Sequence, residues 1–113
     1  ALRALRAPAM SEEYDIHRMI GAALTEHGLA YSHESPLGPR CRIDFAVGRT
    51  GVEVKKGRPD RRRLMQQLER YLSWGKLDAV IVVCGRAVSL PPTLQGRPVI
   101  VLSLNRLWGV ALP

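Results

Sequence analysis

Three residues of the segment RCRIDFAVGRTGVEVKKG, positions 40–57, carry charge inside an otherwise apolar pattern: Asp44, Glu53 and Lys55. Short runs of Ile, Phe, Ala and Val flank a Gly-containing turn, the pattern of a β-hairpin. A turn made of Arg49 and Thr50, or of residues 48–51, pairs positions whose numbers sum to 99. Asp44 then stands opposite Lys55, and Ala46 opposite Glu53. Because side chains alternate along a strand, Asp44, Glu53 and Lys55 emerge on one face. Ile43, Phe45, Val47, Val52 and Val54 take the other. A turn of odd length would send Asp44 away from Glu53, so the constellation depends on parity.

Two carboxylates held a few ångströms apart repel each other unless a cation lies between them. Hard oxygen ligands favour magnesium or manganese for that place. The plainer alternative is a solvated hairpin face on which Lys55 pairs with Asp44 across the ladder. Spacing alone leaves both open.

The elements that must hold these residues follow from the rest of the chain. Positions 11–27 place Ile16, Met19, Ile20, Ala23 and Leu24 at helical spacing, with Ser11 as cap and Gly28 as stop. A short strand is predicted over 29–34, a Pro- and Gly-rich loop over 35–40, and the two hairpin strands over 42–47 and 51–55. Residues 61–74 put Leu64, Leu68, Tyr71 and Leu72 on one stripe, capped by Asp60 and ended by Gly75. The runs DAVIVVC and PVIVLSL read as strands covered on both faces. Helix, three strands, helix, strand, strand describes an α/β fold, a mixed central sheet flanked by helices.

The 113 residues suffice for one domain, predicted over 11–113 behind a flexible lead-in over 1–10. No apolar run is long enough to cross a bilayer, and the Leu/Arg-interleaved N-terminal stretch lacks the apolar segment of a secretory signal. A cytoplasmic setting without a membrane partner fits these features. Cys41 and Cys84 form no ligand cluster, so reduced structural thiols are expected and zinc is not. The net charge is +7, and 14 of the 17 basic residues are Arg, whose planar fork suits phosphate. An anionic partner follows, unless the basicity serves solubility alone.

Asp44, eight intervening residues, then Glu53-Val54-Lys55 resembles the signature of the PD-(D/E)XK nuclease superfamily. Gln67 and Tyr71, four residues apart after the lysine, resemble the QxxxY motif of its RecB-like branch. The resemblance extends over about residues 11–83; Ile43 stands where the family pattern has Pro. It implies a restriction-endonuclease-like fold and a magnesium- or manganese-dependent phosphodiesterase acting on DNA, branched or single-stranded. Asp44, Glu53 and the Val54 carbonyl would hold the metal, and Lys55 would orient the attacking water. The family often adds an acid from the first helix. Glu13, beside the Ile16–Ile20–Leu24 stripe, is the first choice, with Glu12 and Glu34 as rivals.

Gln67 is placed to hydrogen-bond into that site or to a phosphate. Lys56, Arg58, Arg61, Arg62 and Arg63, with Tyr71, are the predicted nucleic-acid contacts, directed at the backbone. His17, His27 and His33 show no ligand spacing and default to surface or packing roles. Trp74 and Trp108 default to core or interface. The expectation is a DNA endonuclease. A dimeric Holliday-junction resolvase and a non-catalytic basic nucleic-acid-binding module are the alternatives.

Overall fold

The computed structural model describes residues 13–107. Nine elements follow in order: α1 (Glu13–Glu26), β1 (Ser32–Gly38), β2 (Cys41–Val47), β3 (Thr50–Lys55), α2 (Arg61–Ser73), β4 (Ala79–Cys84), β5 (Thr93–Leu94), β6 (Arg97–Ser103) and α3 (Leu104–Leu107). The strands form one six-stranded sheet in the order β1-β2-β3-β4-β6-β5. The β1–β2, β2–β3 and β5–β6 pairs are antiparallel, while β3–β4 and β4–β6 are parallel. A parallel pair needs a crossover, and α2 supplies it between β3 and β4. The architecture is the predicted mixed α/β sheet with helices on both faces.

Each helix covers one face. Leu64, Leu68, Tyr71 and Leu72 of α2 pack on Cys41, Ile43, Val80, Val82 and Cys84. Ile16, Ile20, Ala23 and Leu24 of α1 pack on Phe45, Val52, Val54 and Val83. The alternation of β4 explains its continuous apolar sequence, since Val80 and Val82 face α2 while Val83 faces α1. Asp60 caps α2 as predicted, its side chain accepting the Arg63 N–H at 3.1 Å. Both cysteines are buried free thiols. Among the described residues no helix is long and apolar enough to cross a membrane.

Three local predictions need correction. The stretch predicted as a loop over 35–40 is mostly strand: β1 runs to Gly38 and turns through Pro39 and Arg40, the latter at φ 56°. Pro36 is tolerated because β1 is an edge strand. The β2–β3 turn consists of Gly48 and Arg49, because Gly48 takes φ 59°, as the first central residue of a type II′ turn does. Partners therefore sum to 97, with Val47 opposite Thr50 and Phe45 opposite Val52. Asp44 thus lies across from Glu53 rather than Lys55, and Ala46 from Gly51 rather than Glu53. Ile43, predicted to share a face with Phe45, faces α2 instead. The predicted start of α1 at Ser11, the lead-in, Glu12 and Trp108 lie outside the described residues.

Gly51 is buried where β3 meets β2 and the segment leading to β4. A Cβ there would stand 2.5 Å from Ile43 Cδ1 and 2.8 Å from Leu77 Cδ1, both in the filled core. Gly51→Ala is expected to lower stability by about 1–3 kcal/mol through overpacking, read as a lower urea midpoint with an unchanged denaturant slope.

Candidate active site

The site begins where the ladder fails. Between β2 and β3 the pairing runs from Val47↔Thr50 to Phe45↔Val52 and stops. Between β1 and β2 it passes from His33↔Phe45 to Ser35↔Ile43 and omits Asp44. Glu34, in the gap on β1, has φ 50°, a left-handed backbone inside a strand. The β1–β2 register is unchanged across this gap, its one shift lying between Pro36 and Gly38, yet Ile43 and Phe45 part to opposite faces on either side of Asp44.

Side chains fill the broken ladder. Asp44 Oδ2 accepts the Val54 N–H at 2.7 Å, and Glu53 Oε1 accepts the Asp44 N–H at 3.4 Å. Each carboxylate thus engages the other residue's strand, which holds Asp44 and Glu53 against one another. Lys55 Nζ lies 3.2 Å from Glu53 Oε2. The lysine therefore pairs with Glu53, not with Asp44 as the shifted register suggested.

Glu53 is 3% exposed, the one buried carboxylate among the described residues. Burial, and then the nearby Asp44 charge, push its pKa up to about 7, against the opposing pull of Lys55 and the Tyr71 hydroxyl. Tyr71 is 2% exposed, so the nucleic-acid contact predicted for it does not exist. Its hydroxyl lies close to Glu53, and its own pKa is raised by burial and by that carboxylate. Gln67, one turn earlier, is half-buried and lines a cleft of about 370 Å³ with Lys55, Arg63, Gln66 and Arg70. Gln66 and Arg70 were not anticipated.

The other predicted basic contacts divide. Lys56, Arg58, Arg61, Arg62 and Arg63 are exposed, but only Arg63 borders this cleft. Arg61 Nε donates to the Ser89 carbonyl at 2.8 Å, which ties the start of α2 to the loop after β4. Glu13 is the first residue of α1, and its side chain lies outside the described residues. Glu34 is exposed.

The described residue that α1 brings to Asp44 is His17, whose Nε2 lies 3.5 Å from Asp44 Oδ2. Its Nδ1 is 3.1 Å from His33 Nε2. A His17 Nε2–H facing the carboxylate leaves Nδ1 to accept from His33, giving a chain Asp44–His17–His33. Sequence spacing did not reveal it, because the two histidines meet only through the packing of α1 on β1 and β2.

Among the described residues no three His, Cys, Asp or Glu side chains form a metal-holding group. The donor set at the gap is instead two carboxylates, with the Val54 backbone fixed beside them. Magnesium is commonly held by one or two carboxylates plus water and substrate phosphate, so the set fits that ion and its relative manganese. Comparison with family models, with curated proteins and with solved structures returns no match to this chain.

The Glu53 shift makes a signed prediction for metal-free protein. A carboxyl whose pKa rises from 4.5 to about 7 on folding favours the folded state below pH 4.5. That contribution is lost as pH climbs through about 7, an effect on the order of 3 kcal/mol. Thermal melts in EDTA are expected to show stability falling across this window. Glu53→Gln is expected to remove that fall and to melt above the wild type at pH 8.

Proposed function

We propose that this protein is a divalent-metal-dependent DNA nuclease with a restriction-endonuclease-like fold. The observation that carries the reading is the gap in the sheet, where Asp44 and Glu53 converge beside Lys55. A buried acid held against a second, half-buried one is costly unless a cation uses the pair. The match of Asp44, Glu53-Val54-Lys55 and Gln67-x-x-x-Tyr71 to the PD-(D/E)XK pattern supports the same reading, as does the net charge of +7.

Asp44 and Glu53 would hold magnesium or manganese, which when bound lowers the pKa of an attacking water and offsets charge developing on the phosphate. The chain's own groups do the remaining work. Tyr71 packs its hydroxyl beside the Glu53 carboxylate. The Val54 N–H and His17 orient Asp44. Lys55, 28% exposed at the mouth of the cationic cleft, faces both Glu53 and solvent. There it donates to the nucleophile or to a non-bridging phosphate oxygen. Arg63, Arg70, Gln66 and Gln67 supply donors for the adjoining backbone phosphate.

Single-stranded, duplex, flap and four-way DNA incubated with manganese and with magnesium provide the test. The wild type is expected to cleave at least one of them. Asp44→Ala and Lys55→Ala are expected to reduce cleavage by at least about 10²–10³-fold, while Lys55→Ala retains DNA binding. If every substrate stays intact while binding persists and weakens with salt, the protein is a non-catalytic nucleic-acid-binding module.

A further inference from the structure

A second cleft lies on the α1 side of Asp44. Its volume is about 640 Å³, within the roughly 300–1,000 Å³ of small-molecule sites. Its walls are aromatic where the first cleft is cationic. His33 stacks on Phe45 with ring centroids 4.6 Å apart and planes 20° apart. Tyr31 meets the same Phe45 ring at 5.8 Å, and His17 meets it at 5.4 Å. Phe45 is buried, but His33 and Tyr31 are exposed, Tyr31 at 37%. Water therefore touches π surface that the fold has already ordered.

Tyr31 is held rather than loose. It crosses α1 at Gly21, where a Cβ would stand 3.1 Å from the Tyr31 hydroxyl. Glycine inside a helix costs about 1 kcal/mol relative to alanine, and here it lets the ring lie against the helix backbone. Arg18 and Glu26 border the cleft as a hydrogen-bond donor and an acceptor.

The two clefts flank one pair of carboxylates. His17 lines the aromatic cleft and contacts Asp44, while Lys55 lines the cationic cleft and contacts Glu53. His17 makes the aromatic cleft adjoin Asp44 directly, so a strand whose phosphate lies over Asp44 would place a base of the adjoining nucleotide against Tyr31 and His33.

We propose that the aromatic cleft of Tyr31, His33 and Phe45 receives an unpaired nucleobase of single-stranded DNA next to the phosphate held over Asp44 and Glu53. A paired base presents only its edge, whereas an unpaired base offers a π face to the exposed rings of Tyr31 and His33. Substrate choice follows: the preferred strand has at least one unstacked base beside the cleavage position. The nuclease reading supplies the identity of the polymer, and the cleft supplies the requirement for an unpaired base.

Binding measured in EDTA separates the two claims, because no cleavage is involved. The probes are fluorescein-labelled oligothymidylate, an abasic oligomer of equal length and a duplex, followed by anisotropy. Wild-type protein is expected to bind oligothymidylate about 5- to 150-fold more tightly than the abasic oligomer, the range for one stacked base. Tyr31→Ala should lose that same factor on oligothymidylate, lose nothing further on the abasic oligomer and keep the salt slope. Tyr31→Phe should bind as the wild type. Circular dichroism and melting establish that the variants are folded, and His33→Ala repeats the test from a second wall. Equal wild-type affinity for abasic and base-bearing strands overturns the inference. So does a folded Tyr31→Ala that binds oligothymidylate within about twofold of wild type, stacking being worth more than that. Base-dependent binding by a protein that never cleaves overturns the nuclease reading and leaves this one standing.

Discussion

A missing rung in the sheet organises this molecule. Backbone groups left without partners inside a protein are costly, so a strand pair normally continues until it reaches solvent. Here the β2–β3 pairing stops at Phe45↔Val52, and the Asp44 carboxylate accepts the Val54 N–H while the Glu53 carboxylate accepts the Asp44 N–H. The substitution conserves hydrogen bonds while adding two acidic groups. It also fixes their separation through the backbone, which flexible surface side chains cannot do.

Everything around the gap manages the charge so introduced. Lys55 lies against Glu53, the Tyr71 hydroxyl meets the same carboxylate from the α2 side, and His17 approaches Asp44 from the α1 side. Both helices thus contribute to the site, α2 through Tyr71 of its core stripe and α1 through His17 beside its own. Tyr71 makes the dual role explicit: its ring belongs to the α2 core while its hydroxyl serves Glu53. The site and the core are therefore not separable, and a volume change under α2 will be felt at the carboxylates.

Much of this was readable where chemistry is local. The Asp60 cap, the Leu64–Leu68–Tyr71–Leu72 stripe and the apolar β4 run depend on near neighbours, and the structure has them where the pattern put them. The even-membered turn also kept Asp44 and Glu53 together. The register was two residues off because the turn is decided by which residue accepts a positive φ, and Gly48 does so at least cost. The second half of β1 was read as loop because Pro36, Gly38 and Pro39 are turn residues in isolation, whereas an edge strand with one free side accommodates them. Ile43 was assigned to the wrong face because strict alternation cannot represent a strand that breaks its pairing at Asp44. The His17–His33 contact is a tertiary event with no spacing rule behind it.

The claim on which the account rests is that Asp44 and Glu53 form one divalent-cation site. Titrating the protein with Mn²⁺ at pH 8, where Glu53 is mostly ionised, and counting free Mn²⁺ by electron paramagnetic resonance tests it directly. The account predicts saturable binding that Asp44→Asn and Glu53→Gln each abolish, with both variants still folded. Manganese binding unchanged in both variants, or no binding by the wild type, would contradict it.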